Sequence, residues 1–89
     1  MEFQREPGRI YAMNGEKLVA EVTFPEKEGV AVINHTFVDA SLRGQGVAGQ
    51  LLRAVADTLR QEGRRARPIC SYAVHWFETH PEERDLLGE

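Results

Sequence analysis

The stretch Arg43-Gly44-Gln45-Gly46-Val47-Ala48-Gly49 has the clearest potential for chemistry in this chain. It opens an amphipathic helix pattern, and the first N–H groups of a helix lack helical partners and lie at the positive end of its dipole. Glycines at positions 44 and 46 allow the backbone to curl closely around a phosphate. The stretch is therefore a candidate pyrophosphate cradle. The alternative that it leaves open is a tight strand-to-helix turn without a ligand.

Cys70, the only cysteine, is the second candidate. We expect it where a short strand ends and a second helix begins, and a helix N-terminus favours the reactive thiolate form of a cysteine. The alternative is a small buried hydrophobic residue, the ordinary state of a lone cysteine. His35 lies on a neighbouring predicted strand, and strand register decides whether it meets Cys70. His75 and His80 have no Cys, Asp or Glu partners at metal spacing, so no metal site is predicted.

The composition indicates one ordinary globular domain, residues 1–89, with a single modest core. No apolar run approaches the length needed to span a membrane, and the first residues do not form a signal peptide. One cysteine cannot form an internal disulfide. We therefore expect a cytoplasmic protein with no membrane partner.

Positive charge is concentrated in the middle of the chain, although the net charge is −3. Six of the 11 Lys and Arg residues are arginines at positions 43, 53, 60, 64, 65 and 67. No aromatic residue is interleaved with them, so a small polyanionic ligand is favoured over nucleic acid. Arg53 and Arg60 are interpreted as a solvated helix face.

The pattern of elements predicts an α/β fold with a mixed, mainly antiparallel sheet and a central helix after the glycine loop. Asn14-Gly15 predicts a hairpin between strands 9–13 and 17–24. A nearly apolar third strand, Val30 to Val38, is expected to be central with both faces covered. The later elements are a helix at about 45–62, a strand at 67–70 with Pro68 at a sheet edge, a helix capped by Ser71, and a last helical turn from Pro81.

Gly44, Gly46 and Gly49 also match the G-x-G-x-x-G dinucleotide fingerprint literally. That fingerprint requires a parallel doubly wound sheet and an acidic residue at the end of the next strand. Here the preceding strands are antiparallel and the next strand ends in Cys70. A P-loop is excluded because no Lys-Ser or Lys-Thr follows the glycines.

The pattern Arg-x-x-Gly-x-Ala, as Arg43, Gly46 and Ala48, resembles the acetyl-CoA-binding motif of the GNAT N-acetyltransferase superfamily. The segments His35-Thr36-Phe37-Val38, Arg43-Gly44-Gln45-Gly46 and Pro68-Ile69-Cys70-Ser71-Tyr72 extend the resemblance to a compact subgroup of predicted acetyltransferases. It covers residues 9 to 81. Relative to the full-length superfamily the fold is truncated: the two helices between the first strands and the final β-hairpin are missing, and those parts commonly form walls of the acceptor site.

The resemblance implies an acyl-CoA-dependent N-acyltransferase that moves acetyl from acetyl-CoA to an amine. The pantetheine arm would enter between the strands 30–38 and 67–70. The residues implied in binding coenzyme A are Phe37, Val38, Arg43, Gly44, Gln45, Gly46, Val47, Ala48 and Gly49. A backbone N–H near the end of the third strand would polarise the thioester carbonyl.

The resemblance also implies chemistry for three side chains. Cys70 would accept the acetyl group covalently or protonate the departing thiolate, with His35 as its base and Tyr72 as a rival acid. The alternative function is a non-catalytic acyl-CoA-binding module, or a partner-interaction module that uses Trp76 and Phe77. The acceptor, an amine or a protein, and the oligomeric state are not specified by the sequence.

Overall fold

The computed structural model describes residues 2–88, in which six strands are followed by a helix, a seventh strand and a second helix. The elements are β1 (Gln4–Glu6), β2 (Arg9–Asn14), β3 (Lys17–Thr23), β4 (Glu26–Lys27), β5 (Val30–Ile33), β6 (His35–Val38), α1 (Val47–Glu62), β7 (Arg65–Pro68), α2 (Ser71–Glu78) and 3₁₀ segments at Ala40–Leu42 and Pro81–Leu86. The strands form two sheets, ordered β1-β2-β3-β6 and β4-β5-β7. The predicted mixed α/β architecture is confirmed.

The predicted hairpin joins β2 and β3, with its turn one residue later than Asn14-Gly15 suggests. Asn14 pairs with Lys17, so Gly15 and Glu16 form the loop. Only Gly15 has a positive φ, 63°, and a glycine at the first loop position is typical of a type II′ turn. The register slips between Ala12 and Met13, and this bulge turns Val19 into the core beside Ala20.

The predicted third strand, 30–38, is two strands in two sheets, and this corrects the prediction of one central strand. Residues of β5 are buried on both faces, as expected, whereas β6 is half exposed. On the opposite arm, Phe24 and Pro25 separate β3 from β4, and the carbonyls of Thr23 and Pro25 accept from the N–H groups of Asn34, at 3.2 Å, and Val32, at 2.8 Å. Because Pro25 has no N–H to donate to the ladder, the long hairpin formed by β3–β4 and β5–β6 is interrupted next to Asn34, and its two halves continue in different sheets.

Helix α1 packs its apolar stripe against β2, β3 and β6. It begins at Val47, two residues later than predicted, because Gly46 has a left-handed backbone with φ 72°. Its buried residues are those of the predicted stripe, except that Ala54 joins them and Ala48 is only half-buried. Gly63, with φ 67°, ends the helix as predicted. No helix within residues 2–88 has the length and apolar character to cross a bilayer.

The segment after α1 differs from the prediction in detail. Strand β7 is Arg65–Pro68 rather than 67–70, and it runs parallel to β5 from Val30↔Arg65 to Ile33↔Pro68. It lies at the sheet edge, which confirms the placement of Pro68. Cys70, not Ser71, is the N-cap of α2. The last helical turn is a 3₁₀ segment with Pro81 at its start.

Arg53 and Arg60 lie on a solvent-exposed helix face, as predicted, with side chains 42% and 45% exposed, but they also form ion pairs that were not predicted. Both guanidinium groups bind the carboxylate of Glu83, at 2.9 Å and 2.6 Å respectively, and Arg60 also binds Asp85. Glu83 is only 7% exposed. These hydrogen bonds, with that from Arg53 foremost, lower the pKa of Glu83 below its usual range. We call this cluster, Arg53, Arg60, Glu83 and Asp85, the C-terminal clasp, because it fastens the last 3₁₀ segment to α1.

Candidate functional site

The two sheets separate at Ile33, and the separation opens a cleft. Up to Ile33 and Pro68, β5 and β7 are paired in parallel. The carbonyl of Ile33 then accepts from the N–H groups of Ile69, at 3.0 Å, and Cys70, at 3.2 Å. Beyond this point β6 pairs only with β3, while the segment that follows β7 turns into α2. We call the space between β6 and the start of α2 the fork. An edge of β6 without a strand partner among residues 2–88 lines it.

Cys70 lies at the base of the fork. Its Sγ accepts a hydrogen bond from the N–H of Ala73 at 3.4 Å and so caps α2. The same sulfur is 3.4 Å from the hydroxyl of Thr36 on β6. The side chain is half-buried and packs against the core. Sequence reasoning missed Thr36, although it is one of only three polar side chains in the run 30–38.

The structure does not bring His35 and Cys70 together. Neighbouring residues of a strand point to opposite faces, and Thr36 is the residue of β6 that meets the sulfur. His35 lies on the other face, with its Nε2 3.4 Å from Oε1 of Glu21 on β3. The prediction that His35 is the base for Cys70 therefore has no support in the geometry.

The predicted glycine cradle lies at the mouth of the fork. Gly44 and Gly46 have φ values of 82° and 72°, a region that glycine alone enters without strain. Gly46 provides no side-chain cap for α1, so the first N–H groups of the helix point into a groove of about 210 Å³. Of the predicted amides, that of Gln45 is directed elsewhere, to the carbonyl of Leu42 at 3.4 Å.

The groove is lined by nine residues, seven of which are among those predicted to bind coenzyme A. They are Val38, Leu42, Arg43, Gly44, Gly46, Val47, Ala48, Gly49 and Tyr72. Phe37, which was also predicted, lies on the exposed side of β6 and does not line this groove. The residues that do line it offer backbone donors, a cation and an apolar floor, which fits the phosphate end of an acyl-CoA.

Asp39 stabilises the segment that precedes the glycine loop. One oxygen of its carboxylate accepts from the backbone N–H and the hydroxyl of Ser41, at 3.0 and 2.6 Å. Its other oxygen is 3.4 Å from the ammonium group of Lys17. The hydrogen bonds from Ser41, assisted by Lys17, lower the pKa of Asp39. The Asp39 backbone N–H donates to Val19, at 2.8 Å, which ties the loop to the sheet.

Tyr72 connects the cradle with a second groove of about 480 Å³ between α1 and α2. A Cβ placed at Gly49 would lie 3.7 Å from the Tyr72 hydroxyl, which therefore sits over the first turn of α1. In the second groove the ring of His80 stacks on Trp76 at 4.1 Å, and Arg53 lies 5.3 Å from the centre of the same indole. Sequence reasoning assigned Trp76 to the core or an interface, and it is indeed buried.

A larger groove, of about 620 Å³, lies between β1 and the far end of α1. None of the predicted site residues lines it. Its lining carries charges of both signs, which do not surround a common point. The charged residues include Arg5, Glu6, Asp57 and Arg64. Size alone therefore does not identify the functional site.

Comparison with known proteins identifies the fold and the family. A solved GCN5-like protein from Staphylococcus aureus, provisionally assigned as an N-acetyltransferase, superposes with a TM-score of 0.80 at 28% identity, over 98% of this chain and 87% of its own. The ribosomal-protein-alanine N-acetyltransferases of Escherichia coli and Brucella melitensis share its fold. The Escherichia coli protein has a TM-score of 0.64 at 18% identity, over 80% of this chain and 49% of its own. The Brucella melitensis protein has a TM-score of 0.54 at 17% identity, over 91% of this chain and 61% of its own.

No curated protein matches the chain significantly in sequence. A family model for GCN5-related N-acetyl-transferases, however, matches residues 9–86, which is nearly all of the chain. With the fork, the uncapped helix start and the glycine cradle in the expected order, the chain belongs to the GCN5-related N-acetyltransferase family.

Proposed function

We propose that this protein transfers an acetyl group from acetyl-CoA to an amine. The observation that carries the proposal is that the groove at the start of α1 is also lined by Val38 of β6 and Tyr72 of α2, the two elements on either side of the fork. A linear thioester can thus have its phosphates at the helix N-terminus and its reactive end between β6 and α2. The acceptor is an amine of a small molecule or a protein.

The predicted binding residues have distinct roles in this proposal. The N–H groups of Val47, Ala48 and Gly49, which have no acceptor within the helix, bind the pyrophosphate, and Arg43 adds a positive charge. Of the predicted pair, Val38 turns its main-chain N–H and C=O toward the free edge of β6 and pairs with a pantetheine amide, whereas those of Phe37 face Glu21 on β3. A backbone N–H of the same edge stabilises the negative charge that develops on the thioester oxygen.

Transfer occurs by direct attack of the amine. Its nitrogen forms a bond to the thioester carbon, the carbon–sulfur bond breaks, and the electron pair leaves on the sulfur of coenzyme A. The nitrogen loses one proton and the thiolate gains one, so an amide and a free thiol result. In this proposal Cys70 donates that proton and regains one from solvent; its position at the base of the fork beside Thr36 supports the role. Tyr72, which extends from the first turn of α2, is the alternative donor.

Gly46→Val tests the cradle, because its side chain would project into the groove where the phosphates lie. We expect affinity for acetyl-CoA in calorimetry to fall at least tenfold, about 1.4 kcal/mol. Gly63→Val is the matched control. It has a similar positive φ, caps the other end of the same helix, and likewise meets no atom within 4 Å, so it carries the same strain away from the groove.

Thiol release with acetyl-CoA and a panel of amines tests the reaction itself. We expect the wild-type protein to turn over and Gly46→Val to require a higher acetyl-CoA concentration. Equal affinity of the two glycine variants would contradict the cradle. Tight binding of acetyl-CoA with no thiol release from any amine would instead identify a non-catalytic acyl-CoA-binding module.

A further inference from the structure

Five polar or aromatic side chains form a connected cluster on the face of the β1-β2-β3-β6 sheet that α1 does not cover. Strand alternation places Ile10, Ala20 and Val22 in the core, so the residues between them face the other way. The cluster consists of Glu6, Arg9, Tyr11, Glu21 and His35. No helix packs over it among residues 2–88, and the acceptor therefore has access to it.

Glu21 is at the centre of the cluster and uses its two oxygens differently. Oε2 accepts from Nε of Arg9 at 2.6 Å, whereas Oε1 is 3.4 Å from Nε2 of His35. Arg9 is itself held in place, since it lies 3.8 Å from the centre of the Tyr11 ring and 3.5 Å from Glu6. The side chain of Glu21 is only 17% exposed, while that of His35 is 52% exposed. An anchored carboxylate thus faces a ring that can reach solvent.

His35 also lies at the start of β6, where the fork opens. It is the first residue of β6, two positions after Ile33, whose carbonyl makes the last backbone link to Ile69 and Cys70. Thr36 and Cys70 are on the covered side of the strand, and His35 is on the open side. An amine that approaches the fork from the open side passes the imidazole of His35.

We propose that Glu21 is a positioning residue that holds His35 as the proton acceptor for the incoming amine. This inference rests on the proposed acetyl transfer. A carboxylate beside Nε2 favours the tautomer with the proton on that nitrogen, which leaves Nδ1 with a free lone pair. As the amine nitrogen bonds to the thioester carbon, one N–H proton passes to Nδ1 of His35 and then to solvent. The thiolate of coenzyme A receives its own proton from Cys70, so the two transfers occur on opposite faces of β6.

The tautomer of His35 tests the positioning role without any need for turnover. In ¹⁵N NMR spectra of the wild-type protein we expect neutral His35 to carry its proton on Nε2. Glu21→Gln should change the nitrogen shifts toward a mixture of tautomers. Glu6→Gln is the matched control, because Glu6 contacts Arg9 and Tyr11 on the same face but not His35. Unchanged His35 shifts in Glu21→Gln would overturn the positioning role.

Kinetics of the folded enzyme then test the link to catalysis. We expect His35→Gln to lower kcat by about 100-fold and Glu21→Gln by about tenfold, each with an unchanged KM for acetyl-CoA. Because Glu21 acts through His35, the double variant should be no slower than His35→Gln alone. Glu16→Gln, which changes an exposed carboxylate in the loop between β2 and β3, outside the cluster, should retain the wild-type kcat.

The outcomes separate this inference from the proposed function. The inference would be overturned if the wild-type protein turned over and His35→Gln had the same kcat. It would also be overturned if the losses of the two single variants added up in the double variant. Both results would leave the proposed acetyl transfer intact. Absence of turnover in the wild-type protein with every amine would overturn the proposed function, and the role of His35 and Glu21 in it would fall as well.

Discussion

At the scale of single residues, Cys70 has an observed role as a helix cap and a proposed role as a proton donor, and a substitution can separate the two. Its sulfur caps α2 through the N–H of Ala73, and it also touches the Thr36 hydroxyl at the base of the fork. A cap and a proton donor have different chemical requirements. Any short polar side chain can accept from the helix, but only an acidic hydrogen can protonate a leaving thiolate.

We expect Cys70→Ser to remain as stable as the wild-type protein and Cys70→Ala to lose about 1 kcal/mol, because alanine cannot cap the helix. Both should slow thiol release by about 10²- to 10⁴-fold, since neither residue replaces the thiol as an acid. Affinity for acetyl-CoA should stay unchanged. Urea unfolding, calorimetry and steady-state kinetics measure the three properties, and Ser71→Ala, which removes the neighbouring hydroxyl, is the control.

Two results would contradict this account of Cys70. Full activity of Cys70→Ala would reduce the residue to a cap, and a slow Tyr72→Phe variant would then identify Tyr72 as the donor. An acetylated Cys70 peptide that forms with acetyl-CoA alone and is discharged by an amine would show covalent transfer instead of direct attack.

The sequence predicts some of these residues far better than others. The glycine cradle could be predicted because its chemistry is local: positive φ at Gly44 and Gly46 and the start of α1 lie within a few residues of one another. The partner of His35 could not. Whether it meets Cys70 or Glu21 depends on which face of β6 each residue occupies, and this face is set by pairing with β3 rather than by the run of residues itself.

At the scale of elements, the fork arises from one bent hairpin. The run 30–38 was predicted as one strand because it is apolar except for Asn34, His35 and Thr36. Pro25 on the opposite arm interrupts the ladder, so β5 continues into one sheet with β7 and β6 into the other with β3. The three polar residues lie at the start of the second strand, but the sequence of the run does not show that β6 pairs in a different sheet, because this depends on the opposite arm.

The C-terminal clasp was missed for a similar reason, since Glu83 lies 30 residues from Arg53. We expect Glu83→Gln to lower the free energy of unfolding by about 2 kcal/mol, because two guanidinium groups lose a charged hydrogen-bond acceptor. Urea unfolding at pH 7 measures the loss. Glu82→Gln is the control: Glu82 is more exposed and lies 3.7 Å from Arg53, so its removal should cost much less.

The clasp also predicts a dependence on pH. The pKa of Glu83 is lowered in the folded state, so its stabilisation is complete above its unfolded value of about 4.3 and is lost as the pH falls through the lower folded value. The stability difference between wild type and Glu83→Gln should therefore shrink below about pH 4. A difference that stays constant from pH 7 to pH 3 would show that the Glu83 charge is not what the clasp uses.

At the scale of the whole molecule, the arginines that looked alike in the sequence divide into two groups. Arg53, Arg60 and Arg64 lie in ion pairs with carboxylates. Within residues 2–88, no carboxylate lies at ion-pair distance from Arg43, which lines the glycine cradle. A protein with a net charge of −3 therefore presents unneutralised positive charge at the groove where a polyanionic cosubstrate is proposed to bind.

This arrangement predicts how binding of coenzyme A depends on salt. Affinity should fall as ionic strength rises, because exposed charges are screened over about 10 Å at 0.1 M salt. Arg43→Gln should weaken binding at low salt and flatten the dependence. Arg64→Gln should leave both unchanged, because Glu62 and Glu26 already neutralise that charge. Calorimetric titrations at several salt concentrations measure the slopes. Equal slopes for wild type and Arg43→Gln would place the phosphates away from Arg43, so that only the backbone donors of α1 would hold them.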